Sequence, residues 1–274
     1  MRRPLLVGIL NITEDSFSDG GRYLDPAAAI AQARRLAETG ADIVELGAAA
    51  SNVAAKAVSP EQEIRRLEPV IEALQRDGVA LSVDSFQPEV QRFALSRGVA
   101  YLNDIQGFPD PAIYPELAAA NCRLVVMHAV QGRGRAQSLD IEPEDVWRRM
   151  RDFFSERIPR LETAGIARER LILDPGMGLF LSSKPEASLR VLRGLPELKR
   201  AFGSPILVSV SRKSFLRLLT GRDDPKALGA ATLAAELYAA RQGADFIRTH
   251  DPAALRDALI VSSALETPGP LTSG

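Results

Sequence analysis

The stretch Gly78-Val-Ala-Leu-Ser-Val-Asp-Ser-Phe-Gln-Pro88 contains one full repeat of the pattern on which the fold prediction rests. Gly78 follows a helical stretch, and the apolar run 80–83 predicts a short buried strand. A polar residue, Asp84, comes directly after this run, and Pro88 begins the next helical stretch. A short buried strand, a polar end and a helix in this order are typical of a β–α unit.

The same unit recurs along the chain. Short apolar runs, each too short for a helix, alternate with amphipathic stretches, several of which begin at proline and are followed by glycine. The runs are residues 5–10, 43–46, 80–83, 100–102, 124–127, 171–173, 206–210 and 246–247, and the helical stretches include 26–39, 60–76, 88–97, 143–164, 188–202 and 228–242. Eight such units predict a single-domain α/β protein, a (β/α)₈ TIM barrel over residues 1–266, followed by a flexible tail at 267–274. An open doubly wound sheet is the alternative.

Composition limits the classes of function. The formal net charge of −1 across 274 residues leaves no basic excess, so nucleic acid is a poor candidate for the main partner. No apolar run approaches the roughly 18 residues that a membrane span needs, and we interpret the start of the chain as a strand rather than a signal peptide. Cys122 is the single cysteine, which excludes an internal disulfide. We therefore expect a soluble cytoplasmic protein.

Polar residues follow all eight predicted strands. In barrels of this kind the active site forms at the carboxyl ends of the strands. Any one polar residue there has a simpler explanation, because strand ends return to water, but their convergence from eight strands favours a site. The residues are Asn11, Glu45, Asp84, Asn103 with Asp104, His128, Asp174, the run 211–214, and Arg248 with His250.

The side chains at these ends suggest what the site binds. Asp84, Asn103 and Asp174 offer acceptors to a flat heterocycle with several N–H donors, and Lys213 offers a donor to such a ring. Arg248 and His250 have the donors that phosphate oxygens accept from. For His128 we favour a structural role in the core.

Three loops complete the predicted site. Residues 11–23 are polar and contain Gly20-Gly21, which predicts a movable lid. Residues 174–178 contain two glycines that allow close approach of the backbone to a ligand. The run Ser211-Arg-Lys-Ser214 precedes a short predicted helix, whose start suits an anion.

An amino-terminal stretch and seven further motifs carry a resemblance to a known family. The stretch Gly8-Ile-Leu-Asn-Ile-Thr-Glu-Asp-Ser-Phe-Ser-Asp-Gly-Gly-Arg-Tyr23 resembles the amino-terminal signature of the dihydropteroate synthases. The likeness continues through residues 40–43, 82–85, 102–105, 126–128, 173–176, 211–214 and 248–250. It implies a (β/α)₈ barrel and a transferase of folate biosynthesis, one that condenses 6-hydroxymethyl-7,8-dihydropterin pyrophosphate with p-aminobenzoate. The products would be 7,8-dihydropteroate and pyrophosphate.

The resemblance also implies a role for each matching residue. The pterin would be held by Asp84, Asn103, Asp174 and Lys213. The pyrophosphate would be bound by Asn11, Ser51, Arg248 and His250, with Asn11 also binding Mg²⁺. Ser214 would receive the p-aminobenzoate carboxylate, and Asp19 would close the site over the reacting carbon. The catalytic set implied in this way is Asp19, Asp84, Lys213 and Arg248.

Two loops depart from the family pattern. Most members have Glu-Ser-Thr-Arg-Pro-Gly in the second loop, whereas residues 49–54 read Ala-Ala-Ser-Asn-Val-Ala, so Asn52 replaces an arginine. Leu179 and Phe180 stand where the family commonly has a Phe-Gly-Lys run. Both departures resemble the mobile sulfonamide-resistance enzymes. This implies a reshaped p-aminobenzoate pocket in which Phe180 and Leu179 exclude the drug.

Three other functions remain open from the sequence. The loss of the arginine at Asn52 leaves room for an inactive pterin-binding paralogue. A pterin-dependent methyltransferase would share the ring-binding carboxylates but would not need the phosphate-binding residues. A Schiff-base aldolase using Lys213 is the third alternative. The resemblance further implies a homodimer.

Overall fold

Eight parallel strands form the centre of the structure, a computed structural model that describes residues 3–13, 24–49, 58–131 and 138–266. They are β1 (Leu5–Asn11), β2 (Ile43–Gly47), β3 (Leu81–Asp84), β4 (Tyr101–Asp104), β5 (Arg123–Met127), β6 (Leu171–Asp174), β7 (Leu207–Val208) and β8 (Phe246–Thr249). The strand order is β6-β5-β4-β3-β2-β1-β8-β7, and a parallel bridge between Leu173 and Ile206 brings the two ends of the sheet together. The predicted (β/α)₈ barrel is confirmed.

Helices connect every strand to the next. They are α1 (Pro26–Glu38), α2 (Pro60–Arg76), α3 (Pro88–Ser96), α4 (Tyr114–Ala119), α5 (Pro143–Thr163), α6 (Pro185–Phe202), α7 (Ser214–Thr220), α8 (Gly229–Arg241) and α9 (Pro252–Glu266). Within the described ranges, none of them combines the length and the apolar character that a membrane crossing requires.

Local signals explain where the helices begin and end. Ser59 caps α2 through a reciprocal pair of hydrogen bonds with Gln62, which satisfies two otherwise unpaired backbone groups. Gly203 ends α6 at a φ of 66°, a left-handed conformation that glycine adopts without steric cost. The start of α6 differs from the sequence prediction, because the helix begins at Pro185 rather than at residue 188.

The core has two layers because successive residues of a strand face opposite sides. The outer layer fills the space between strands and helices, whereas the inner layer fills the lower part of the barrel. The inner layer contains Val7, Ile43, Val125, Ile172, Leu207 and Phe246. Two residues after Ile43, Glu45 of β2 pairs in register with Ser82 of β3, and both residues are buried. The barrel interior therefore changes from apolar to polar before the carboxyl ends of the strands.

Some predicted positions lie outside the described residues. They are the lid residue Asp19, the second-loop residues Ser51 and Asn52, and the tail 267–274.

Candidate active site

Strand register brings the first predicted site residues side by side. Asn11 pairs with Gly47, Gly47 with Asp84, and Asp84 with Asn103 across four neighbouring strands. All of these positions lie at the carboxyl ends of their strands. Because Gly47 has no side chain, Asn11, Asp84 and Asn103 share one level of the barrel mouth with space between them.

Arg248 is held by two carboxylates. Its Nε donates to Glu45, and its second guanidinium nitrogen, Nη2, donates to Asp84 Oδ2 at 3.0 Å. The sequence assigned Arg248 to phosphate and gave Glu45 no role. In the structure these two residues form a hydrogen bond although they are 203 positions apart in the sequence. The signal for Glu45 was present in the sequence as a charged residue inside an otherwise apolar strand.

Burial shifts the pKa of the groups around this pair. Burial and the nearby Glu45 raise the pKa of Asp84, while the charge of Arg248 opposes the shift. Burial raises the pKa of Asp174 to about 6, against the opposing hydrogen bond from the Gly176 N–H. Burial and the charge of Arg248 lower the pKa of Lys213 to about 8. The mouth therefore holds groups that titrate close to neutrality.

Adjacent polar residues of β4 have different surroundings. Asn103 is buried and donates from Nδ2 to Glu45 Oε2 at 3.2 Å, while its Oδ1 has no hydrogen-bond partner among the described residues. Asp104 accepts from Gln91 Nε2 and from the backbone N–H groups of Gln106 and Phe108. Asp104 thus shapes the following loop, whereas Asn103 retains an acceptor for a ligand.

The carboxyl ends of β7 and β8 form a second polar group. Ser211 Oγ lies 2.9 Å from His250 Nδ1, and it also accepts from the His250 backbone N–H. Burial, followed by the charge of Arg212, holds the pKa of His250 well below its ordinary value, so this imidazole is neutral at pH 7. Arg212 has a φ of 58°, and its N–H donates to Thr232 Oγ1. A left-handed arginine at this point is local strain retained beside the site.

The turn after β6 packs against the start of α7. Gly178 has a φ of 66°, and a Cβ there would lie 2.9 Å from Ser214 Oγ. The Phe180 ring centroid lies 5.1 Å from Lys213 Nζ, which places the cation over the ring. Phe180 is buried, and Leu179 is partly exposed. Phe180 belongs to a small apolar cluster at the mouth with Ile105, Met127 and Ala129.

The two histidines of the chain have different surroundings. His128 is buried, its Nδ1 lies 3.2 Å from the Pro175 carbonyl, and its ring packs on Phe153. Burial lowers the pKa of His128 to about 4. These contacts agree with the core role favoured for His128, whereas His250 belongs to the polar group at the mouth.

A further buried carboxyl was not foreseen. Glu236 lies on α8 and is buried, and its Oε1 has no hydrogen-bond partner in the described part of the chain. Burial raises the pKa of Glu236 to about 8. Its sequence context looks like an ordinary helix face, so no signal distinguished it.

Asn11 is the residue expected to bind Mg²⁺. No group of three His, Cys, Asp or Glu side chains that could hold a metal ion occurs in the described ranges. Mg²⁺ is commonly held by one or two protein oxygens, with water and phosphate supplying the rest. Asn11 Oδ1 reaches over Gly47, where a Cβ would lie 3.5 Å from it. One amide oxygen in an uncrowded position fits such an ion.

Comparisons with known proteins show the family to which the chain belongs. The family described as pterin binding enzyme matches residues 7–250. Dihydropteroate synthase type-2 of Escherichia coli is 58% identical over 267 residues, which covers 97% of this chain and 98% of that protein.

The chain is also similar to solved structures of dihydropteroate synthases. The dihydropteroate synthase of Xanthomonas albilineans in complex with 7,8-dihydropteroate has a TM-score of 0.81 and 36% identity, covering 98% of this chain and 94% of that one. The Yersinia pestis enzyme with a sulfonamide drug complex has a TM-score of 0.87 and 34% identity, covering 96% and 94%. The chain therefore belongs to the dihydropteroate synthase family of pterin-binding enzymes.

Proposed function

We propose that this chain condenses 6-hydroxymethyl-7,8-dihydropterin pyrophosphate with p-aminobenzoate, and that its p-aminobenzoate pocket excludes sulfonamides. The observation that carries the synthase proposal is the convergence of ring acceptors and a ring donor on one barrel mouth beside Arg248, an arginine paired with two carboxylates. In the reaction the bond between the pterin methylene carbon and pyrophosphate breaks, and pyrophosphate leaves with the electron pair. The amine of p-aminobenzoate forms the new C–N bond and loses a proton.

Pterin recognition falls to the residues at the ends of β3, β4 and β6 and to Lys213. Asp84, Asn103 and Asp174 each present an oxygen to ring N–H donors, and Lys213 donates to a ring oxygen or nitrogen. Burial strengthens these contacts because water competes weakly for them. The carboxylates also stabilise the positive charge that develops on the methylene carbon as pyrophosphate leaves.

The leaving group would lie toward β1 and β8. His250 and Arg248 would donate to phosphate oxygens, with Ser51 adding a hydroxyl, and Asn11 would hold Mg²⁺. Bound Mg²⁺ supplies charge that stabilises the departing pyrophosphate. To reach phosphate, Arg248 would exchange part of its contact with Asp84 for the ligand and keep its contact with Glu45.

The p-aminobenzoate would enter beside the Gly178–Phe180 turn. Ser214 Oγ lies at this turn and would receive the carboxylate. Asp19 would close the first loop over the reacting carbon.

Product formation tests the synthase proposal. We expect 7,8-dihydropteroate to appear only when Mg²⁺, the pterin pyrophosphate and p-aminobenzoate are all present. Asp174→Asn should lower kcat/KM for the pterin substrate by roughly 100-fold, because a buried acceptor becomes partly a donor. Asp110→Asn, an exposed cap that the amide oxygen can replace, is the control and should keep full activity. Pterin binding without product would support the inactive paralogue instead.

Drug exclusion is proposed from the position of Phe180. Its carbonyl accepts from the Val130 N–H at 2.9 Å, and its ring is packed against Lys213 and the apolar cluster at the mouth. These contacts favour the present position of the ring over one that would make room for a bulkier ligand. Sulfonamides resemble p-aminobenzoate but extend further beyond the sulfonyl group, so this wall would meet the extra atoms.

Shortening the wall tests this proposal. Phe180→Ala should lower the inhibition constant of sulfamethoxazole at least tenfold while changing KM for p-aminobenzoate much less. Phe202→Ala is the matched control, because Phe202 packs on Phe154 in the helical layer rather than at the mouth. Unchanged inhibition of Phe180→Ala would remove the steric explanation, and Leu179→Gly would then be the next variant.

A homodimer is proposed as the assembly. Ile260, Val261 and Leu265 are exposed apolar residues on α9, and association would cover such residues. Sedimentation should give about twice the chain mass of 29.6 kDa, and a single-chain mass would contradict the proposal.

A further inference from the structure

Glu45 contacts no substrate in the proposed function, yet it is among the most deeply buried charged residues near the barrel mouth. It lies in β2 with 1% of its surface exposed. Its Oε1 accepts from Arg248 Nε, and its Oε2 accepts from Ser82 Oγ at 3.0 Å and Asn103 Nδ2 at 3.2 Å. Both carboxylate oxygens are therefore fully engaged by donors from three other strands.

This arrangement fixes which end of the Asn103 amide faces Glu45. Glu45 forms an ion pair with Arg248, and a carboxylate in an ion pair can only accept hydrogen bonds. The opposite amide orientation would place Asn103 Oδ1 against a Glu45 oxygen, two acceptors in contact. The Nδ2 end is consequently held toward Glu45.

The other end of the amide is left for a ligand. Asn103 is 2% exposed, and its Oδ1 has no hydrogen-bond partner within the described residues. A buried carbonyl oxygen without a partner costs free energy. In register with Asp84, it is an acceptor at the level of the proposed pterin site.

We propose that Glu45 is a positioning residue that fixes the amide of Asn103, so that Oδ1 presents an acceptor to a ring N–H of the pterin. The inference rests on the proposed function, since it concerns recognition of the same ring. Glu45 itself does not touch the substrate. It acts through the direction of one amide and through the guanidinium of Arg248.

Glu45→Gln tests the proposal while keeping the size of the side chain. In this variant the new amide nitrogen donates at the position where Glu45 Oε2 accepted. The Asn103 amide should therefore rotate, so that its Oδ1 accepts from the new glutamine and its Nδ2 faces the ligand. We expect affinity for 6-hydroxymethyl-7,8-dihydropterin, measured by calorimetry, to fall at least tenfold, while KM for p-aminobenzoate changes less than threefold. Retained pterin affinity would overturn the proposal.

Glu63→Gln is the matched control. Glu63 is also 1% exposed and accepts from Ser85 Oγ and Gln87 Nε2, but it has no hydrogen bond to Asn103 or Arg248. We expect its pterin affinity to stay within threefold of the unaltered chain. An equal loss in both variants would mean that any buried carboxyl has this effect, which would overturn the specific role of Glu45.

Exchanging the two partners gives the sharpest test. In Glu45→Gln combined with Asn103→Asp, the amide donates to the new carboxylate, whose second oxygen still faces the ligand. Asn103→Asp alone places like charges together and should lose affinity. The double variant should regain most of the pterin affinity, whereas losses that simply multiply would overturn the proposal.

Three further outcomes distinguish a failure of this inference from a failure of the proposed function. If Glu45→Gln does not fold, neutron diffraction of the unaltered chain should show the Asn103 deuterons directed at Glu45, and deuterons facing the mouth would overturn the proposal. If the unaltered chain binds no pterin, the proposed function fails and this inference with it. Binding by the unaltered chain with no effect of Glu45→Gln removes only the positioning role.

Discussion

At the scale of single residues, burial shifts the pKa values of two groups in the proposed pterin site toward neutrality. Asp174 has its pKa raised to about 6 and Lys213 has its pKa lowered to about 8, burial being the largest cause for each. Perturbed values of this kind are common where a protein binds or transforms a ligand. Asp174 accepts most strongly from the ring when it is ionised, and Lys213 donates best when it is protonated.

We therefore expect a bell-shaped pH profile for kcat/KM of the pterin substrate, with apparent limbs near 6 and 8. Activity rises as Asp174 ionises and falls as Lys213 loses its proton. Lys213→Arg should remove the alkaline limb, because arginine stays protonated in this range.

Lys199→Arg is the control for that profile. Lys199 pairs with Asp245, the residue that leads into β8, away from the mouth, so the alkaline limb should remain. An alkaline limb that persists unchanged in Lys213→Arg would show that another group is responsible.

Glu236 makes a prediction about stability rather than catalysis. Its pKa is raised by burial to about 8 from an ordinary value of 4.5, so between these values the folded state holds a proton that the unfolded state has lost. The free energy of unfolding should therefore fall as pH rises, by about 1.4 kcal/mol per pH unit from this group. Glu236→Gln removes this contribution.

Urea unfolding at pH 5, 6, 7 and 8 measures the effect. The stability of Glu236→Gln relative to the unaltered chain should increase steadily with pH across this series. A difference that stays constant would mean that Glu236 titrates normally in the folded protein.

At the scale of elements, the contact between α5 and α6 depends on one glycine. Gly194 lies where the Trp147 ring crosses α6, and a Cβ there would lie 2.4 Å from two ring atoms. Arg190 covers the ring, with its guanidinium carbon 4.1 Å from the ring centroid. The indole is thus packed between two residues of one helix and has little room to move.

Gly194→Ala should destabilise the protein by about 1–3 kcal/mol, although alanine is the better helix former. Thermal unfolding should show a melting temperature several degrees lower. Gly229→Ala is the matched control, since nothing lies within 4 Å of a Cβ at the start of α8, and it should be neutral or slightly stabilising. Equal melting temperatures for the two variants would contradict this account of the contact.

The elements also show where prediction from sequence succeeds. Glycine and proline marked α2 correctly, from Pro60 to Arg76, because caps act locally. The six-residue α4 was missed since so short a helix has no measurable period, and the run 206–210 forms a strand only over Leu207–Val208. Such boundaries depend on which neighbours are available for pairing, which is a tertiary property.

At the scale of the whole molecule, the barrel was predictable because its unit repeats, and several of the polar residues that follow its strands lie close together in the structure. The partners inside the site were not predictable. Glu45 and Arg248 are joined by the closure of the barrel, and the pairing of Lys213 with Phe180 requires the turn after β6 to fold onto α7. Residue types along a chain indicate which chemistry is present, but not which donor meets which acceptor.

Pyrophosphate release by the purified protein, with Mg²⁺, the pterin pyrophosphate and p-aminobenzoate, tests the central claim most directly when it is repeated in excess sulfamethoxazole. We predict release that depends on p-aminobenzoate and continues at nearly the same rate with the drug. Release abolished by a low drug concentration would contradict the proposed pocket and leave the synthase. The absence of p-aminobenzoate-dependent release would contradict the synthase itself.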